Sequence, residues 1–111
     1  MIIDFDSIET TVTPAFRGGD GEAIMNAYFD GSNRIMKLCL KKGCSIGTHK
    51  HNGNCEIIYC ISGSAKITMD GEELTLNAGQ AHFCPEGGTH KIENLNDDDF
   101  IAICSIPAVS A

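Results

Sequence analysis

No apolar run in this chain approaches the roughly 20 residues a helix needs to cross a bilayer. The N-terminal MIIDFDSIETT is acidic where a secretory signal would be positive and then apolar. No membrane association is expected, and a cytoplasmic location is. Bases are scarce: 8 Lys and Arg stand against 15 Asp and Glu, for a net charge of −7. Such a surface repels phosphate backbones and anionic headgroups, so no nucleic-acid partner is expected. The six cysteines (Cys39, Cys44, Cys55, Cys60, Cys84, Cys104) form no Cys-x-x-Cys pair, which argues against a disulfide framework. Most read as small buried hydrophobes, a usage that suits a reducing compartment. Glycine-rich phosphate loops and serine-hydrolase elbows are absent, and with them any support for a kinase or an esterase. A sustained apolar period near 3.6 is missing too, so helices are not the architecture.

What remains is a pattern of short β-like runs. At 111 residues, with 42% hydrophobic and 21% charged residues, the chain has the size and composition of one soluble globular domain. The run 22 to 29 (EAIMNAYF) reads as a strand, followed by the turn Asp30-Gly31-Ser32-Asn33 and a second strand over 34 to 42. In that second strand Ile35, Lys37 and Cys39 share one face, and Met36, Leu38 and Leu40 the other. Further strands are expected over 45 to 51 and 55 to 61, and over 64 to 69 and 72 to 76 around Asp70-Gly71, a dipeptide typical of two-residue hairpins. The last three are expected over 80 to 84, 89 to 94 and 100 to 106. Strands at this spacing form a sandwich or barrel. Residues 21 to 111 are therefore assigned to one all-β domain, a sandwich or a barrel. Residues 1 to 20 form an N-terminal segment in which IIDFD is a candidate short strand. The glycine-rich stretch from Phe16 to Gly21 is a loop that could lie over something.

Two of the four histidines, His49 and His51, stand at i and i+2 of an expected strand and so project from one face. Glu56 follows a three-residue loop (Asn52-Gly53-Asn54), and a hairpin there returns its carboxylate toward both rings. His90 arrives from a later strand that a closed barrel can place opposite. Three imidazoles and a carboxylate suit one divalent transition metal such as Fe, Mn, Ni, Co or Zn, with positions left open if the geometry is octahedral.

Taken singly, each of these residues is an ordinary surface group; their spacing is not. The residues read G-x5-H-x-H-x4-E-x6-G (Gly43, His49, His51, Glu56, Gly63), then G-x5-P-x-G-x2-H-x3-N (Gly79, Pro85, Gly87, His90, Asn94). A chance match to either half at a given start is roughly one in a million or rarer, from residue frequencies of a few per cent each. This pair resembles the two motifs of the cupin superfamily. The resemblance implies an antiparallel jelly-roll β-barrel in which His49, His51, Glu56 and His90 bind the metal. Gly63 and Gly79 permit turns, Pro85 and Gly87 shape the bend before His90, and Asn94 is structural. Thiol dioxygenases are a poorer match, since they typically lack the glutamate. Cupins are commonly dimers, and the strand through Glu56 is apolar on both faces (Ile58 and Cys60 on one, Ile57, Tyr59 and Ile61 on the other). Its outer face thus needs cover from a second copy, as a homodimer, or from the N-terminal segment.

His82 and Cys84 share parity on one strand and face either into the barrel or out. Arg17 in its glycine-rich loop could clamp an anionic substrate or stay solvated, and Tyr28 and Tyr59 are expected in the core. Two functional readings follow, both with a small molecule as partner. One is a metalloenzyme acting on a small oxygenated molecule by dioxygenation or isomerisation, with Glu56 or His82 as the catalytic proton carrier. The other is a binding or sensing module whose metal is structural or presents the ligand without turnover. A metal-free epimerase-like cupin is disfavoured because all four ligand types are present.

Overall fold

Alternation of apolar and polar residues decides which face of a strand turns inward, and the computed structural model, which describes residues 1 to 109, has ten strands, clearest in this pattern at β3, β5, β9 and β10. Ser110 and Ala111, the end of the expected barrel segment, lie outside the described residues. The strands are β1 (Thr11–Pro14), β2 (Glu22–Phe29), β3 (Arg34–Leu40), β4 (Ser45–Lys50) and β5 (Glu56–Ser62), then β6 (Ser64–Met69), β7 (Glu72–Asn77), β8 (Ala81–Cys84), β9 (Thr89–Glu93) and β10 (Phe100–Ile106). All pairings are antiparallel. They form a six-stranded sheet in the order β1-β2-β3-β10-β5-β8 and a four-stranded sheet in the order β4-β9-β6-β7, the two layers of a jelly-roll barrel. No described helix is long and apolar enough to cross a membrane.

The core lies between the sheets. Met36, Leu38 and Leu40 of β3 are buried while Ile35, Lys37 and Cys39 are half-buried on the other side, the parity read from the sequence. Ile58 and Cys60 of β5, Phe100 and Cys104 of β10, and Ile67 and Ile92 from the smaller sheet complete it. Each large apolar side chain buried here contributes about 1.5–3 kcal/mol. Asn94 fastens the bottom of the barrel: its Nδ2 donates to the carbonyls of Leu40 (2.8 Å) and Asp98 (2.9 Å), and its Oδ1 accepts from the Asn96 amide (3.0 Å). These bonds tie the end of β3 and the loop from 96 to 98 to one buried side chain.

The N-terminal region departs from expectation. IIDFD is not a strand: Phe5–Ser7 is a 3-10 turn capped by Asp4, whose carboxylate accepts from the Asp6 amide and the Ser7 hydroxyl. Local side-chain hydrogen bonds of this kind compete with strand pairing. The strand lies instead at Thr11–Pro14, paired with β2 as the edge of the larger sheet.

Candidate metal centre

β4 and β9 pair so that His49 stands directly opposite His90, which puts both rings on the inner face of the smaller sheet. The strand ends at Lys50, one residue before His51. Pairing stops there because the turn 85 to 88 takes over the backbone: the His51 amide donates to the Gly88 carbonyl (3.0 Å), and the Gly87 amide to the His51 carbonyl (2.7 Å). The turn before His90 thereby fixes His51 as well. Chain 52 to 55 then crosses to the other sheet, where Glu56 opens β5 facing back across the barrel.

His49, His51 and His90 direct their Nε2 atoms at one point, joined by Glu56 Oε1. His51 Nε2 lies 3.1 Å from the carboxylate and 3.0 Å from His90 Nε2, which is itself 3.0 Å from the carboxylate and 3.1 Å from His49 Nε2. Glu56 is 4% exposed and His90 fully buried. The far ring nitrogens explain the convergence. His49 Nδ1–H donates to the Gly47 carbonyl (2.7 Å) and His51 Nδ1–H to Asn54 Oδ1 (2.6 Å), while His90 Nδ1 shares a hydrogen bond with His82 Nε2 (2.9 Å). The two bonds to oxygen fix the tautomer that leaves an Nε2 lone pair pointing inward, and the bond to His82 is compatible with the same tautomer of His90. Three histidines and a carboxylate oxygen packed this tightly could hold a cation among them, and the donor set fits a borderline divalent metal.

In the metal-free cluster an imidazole proton takes the cation's place beside Glu56. Burial alone would push the Glu56 carboxyl up, but hydrogen bonds from His51 and His90 and their charge outweigh it and hold it at about 2. The hydrogen bond to Glu56 raises His51 against its burial, whereas burial lowers His49.

A cavity of about 370 Å³ opens beside His49, His51 and Glu56, within the range of small-molecule sites. Met25, Met36, Ile46 and Ile106 supply its apolar walls, and Arg17 and Arg34 its cations. The loop carrying Arg17 lies backbone to backbone on β4. A Cβ at Gly47 would stand 2.1 Å from the Arg17 carbonyl oxygen, and one at Gly19 2.1 Å from that of Ser45. Ala15 and Arg17 both adopt left-handed backbone, at φ 49° and 56°, a strain held by this contact. The stretch read from the sequence as an overlying loop covers β4 and presents Arg17 to the cavity.

His82 and Cys84 point inward, and both are buried. Neither lines the cavity. His82 stands behind His90 and reaches the cluster only through that ring; burial and the charge of His90 lower it to about 4. Cys84 pairs with Glu56 across β8 and β5, and burial with the nearby carboxylate pushes its thiol up to about 11, so it stays protonated. Tyr59 is not in the core: it is 47% exposed on the outer face of β5. Two site residues, Arg34 and Asn54, escape the sequence reading. Arg34 has the parity of Met36, Leu38 and Leu40, which is the signal that could have found it.

Fold and site together define a small β-barrel protein with a three-histidine, one-glutamate group able to hold a divalent metal. The family model described as a cupin domain matches residues 36–106, and the chain belongs to that family. It is 30% identical to an oxalate-binding protein of Thermotoga maritima, over 93% of this chain and 92% of the relative. The crystal structure of a predicted oxalate decarboxylase from Thermotoga maritima superposes with a TM-score of 0.90 at 28% identity, covering 98% of this chain and all of the other. The cupin domain of Schizosaccharomyces pombe Cnp3 shares the fold at TM-score 0.79 and 10% identity, over 98% of this chain and 74% of that one.

Proposed function

We propose that this chain binds a small oxygenated anion at a divalent metal held by His49, His51, Glu56 and His90, with Arg17 as the anion's clamp. The observation that carries the reading is the convergence of three histidine Nε2 atoms and a carboxylate beside a cavity whose remaining charges are cationic. A metal there would chelate and polarise a pair of ligand oxygens. Glu56, held deprotonated, serves as ligand, and His82 supports His90 from behind. The relative named for oxalate binding supports the ligand class.

Binding is favoured over proton-transfer chemistry by the lining. Outside the cluster, the titratable groups around the cavity are the two arginines, so an isomerisation would find no free side-chain base there. Dioxygenation carries no such requirement and stands as the second reading. Protein purified without added metal should hold about one equivalent of a transition metal, and a His49→Ala variant less than about a tenth. Calorimetry on the loaded protein should show saturable oxalate binding, weakened about tenfold in Arg17→Gln at unchanged metal content, as loss of one charged hydrogen bond predicts. Absence of metal, or of oxalate binding, would sink the reading.

We also propose a homodimer through the outer face of the larger sheet. Ile57 and Phe83 are cross-strand neighbours, and with Tyr59 and Ile61 they form an apolar patch, 41–56% exposed. On this face residues Ile3 to Asp6 share a hollow with Lys37, Ile61 and Ile103. Light scattering should find a dimer at micromolar concentration and a monomer for Tyr59→Glu with metal content unchanged; a monomeric wild type rules the dimer out. Six free thiols support a cytoplasmic site of action.

A further inference from the structure

We infer that the ligand carries a second anionic group, held by Arg34 and Lys50, joined through a short apolar body to the end that chelates the metal. The inference rests on the metal-site reading above and deepens it by naming the ligand's shape and charge.

Size is the first observation. At about 30 Å³ per water, the 370 Å³ cavity has room for about a dozen waters, well beyond a two-carbon dicarboxylate. A second hollow of about 320 Å³ adjoins it and shares Arg17, Arg34, His49, His51 and Ile106 as lining. The metal-ligating rings thus form the floor of a longer channel, and Arg34 stands at the junction of its two parts.

Charge is the second. In a chain of net charge −7 with 8 bases, the side-chain ion pairs of lysine and arginine among the described residues fall on Lys41, Lys42, Lys66 and Lys91. Of the bases with no such partner among the described residues, Arg17, Arg34 and Lys50 all line the outer hollow, and Lys37 alone lies elsewhere, on the outer face beside Ile61 and Ile103. Cations gathered without carboxylates, in a protein with nearly twice as many acids as bases, mark where a foreign anion sits.

Arg34 has the geometry for recognition. Its guanidinium carbon lies 4.6 Å from the centre of the Phe29 ring, and Phe29 is its register partner across β2 and β3. Stacking immobilises the guanidinium plane and leaves its N–H edge free for bidentate binding of a carboxylate or a phosphate. The cavity that Arg34 shares with the cluster is walled mainly by Met25, Met36, Ile46 and Ile106, with Thr11 and Thr13 beside them, which suits a body of a few carbons. The Arg17 backbone rests on β4 against Gly47, whose carbonyl anchors the His49 ring, so Arg17 faces the chelating end, and Arg34, stacked on Phe29 at the end of β2, faces the distal end.

Calorimetry on the metal-loaded full chain tests this with oxalate, 2-oxopentanoate, 2-oxoglutarate and 2-oxo-4-phosphonobutanoate. The two five-carbon acids differ only in bearing a terminal methyl or a terminal carboxylate. 2-Oxoglutarate should bind at least about tenfold tighter than 2-oxopentanoate, and Arg34→Gln should erase that preference while weakening oxalate by much less. Lys50→Gln, at an exposed position, should reduce the preference in part and serves if the Arg34 variant folds poorly. Tighter binding of 2-oxo-4-phosphonobutanoate than of 2-oxoglutarate assigns the distal group as phosphate-like, and the reverse order as carboxylate. Equal affinity for the two five-carbon acids, with oxalate still bound, overturns the inference and leaves the metal-site reading standing. Failure of every probe including oxalate overturns both.

Discussion

Replacing Glu56 by glutamine should weaken divalent-metal binding by at least about a hundredfold while leaving the barrel folded. The substitution conserves shape and removes only the charge. Glu56 supplies the one anion of the cluster, and its carboxylate lies 3.0–3.1 Å from two imidazole nitrogens in a buried setting, where a neutral amide oxygen is a much weaker donor to a metal. Loss of a supporting partner outside the ligand set already reduces metal affinity about 10–100-fold, so loss of a ligand should exceed that. Competition against a fluorescent chelator would read the change, and affinity within about fivefold of wild type would show that Glu56 is not a ligand.

The metal-free protein makes a second readout available. Glu56 has a folded value of about 2, below its ordinary 4.5, so its contribution to stability is present above pH 4.5 and is lost as pH falls toward 2. His51 is raised by the same pair, so its contribution is full below its ordinary 6.5 and disappears as pH rises through the higher folded value. The pair is therefore ionised on both sides between about pH 4.5 and 6.5. Metal-free Glu56→Gln should lose most melting temperature relative to wild type in that window and less on either side. A difference that is flat from about pH 3 to 8 would refute the pairing.

The same physics explains how much of the molecule is legible in its sequence. Parity is a local property with a period of two, so the inward faces of β3 and β5 and the convergence of His49, His51, Glu56 and His90 can be read from spacing. Parity also marks Arg34 as inward, but a charge at an inward position is assigned to solvent unless one knows that the barrel is open at that end. His82 and Cys84 lie beyond reach for a related reason. β8 is a four-residue edge strand, and its facing depends on how it registers against β5, through a pairing of Glu56 with Cys84 that no local pattern encodes. At the N-terminus IIDFD has strand composition, yet Asp4 closes a local turn, and the β1 pairing passes instead to Thr11–Pro14. Tyr59 is expected inside because phenols usually pack. Its strand parity, opposite to that of Glu56, is the better guide and puts it outside.

Gly63→Ala should be the most destabilising single methyl addition among the left-handed glycines that join one strand to the next, by about 3 kcal/mol or more, while metal affinity of the folded protein changes little. Gly63 joins β5 to β6 where the chain passes from one sheet to the other, at φ 76°. An L side chain there meets a left-handed penalty of about 1–2 kcal/mol. A steric term adds to it, since the new Cβ would lie 2.3 Å from the Asp99 carbonyl oxygen and 3.1 Å from Phe100 Cα. That backbone has little room to yield. The preceding carbonyl, of Asp98, accepts from the buried Asn94, and Phe100 is fully buried in the core. Against a typical stability of about 5–15 kcal/mol, the loss should lower the melting temperature by on the order of 15 °C for a domain of this size. Gly79→Ala separates the two terms: Gly79 has φ 86° with nothing within 4 Å of the place an added methyl would take, so only the left-handed penalty applies. Glu56 begins β5 and Gly63 follows its end, about 20 Å along the strand at about 3.3 Å per residue, so the ligand cluster should remain in place once the variant is folded. Equal denaturation midpoints for Gly63→Ala and Gly79→Ala would mean that the Asp99 backbone moves aside freely, and that the junction between β5, β6 and β10 is not the rigid corner that Asn94 makes of it.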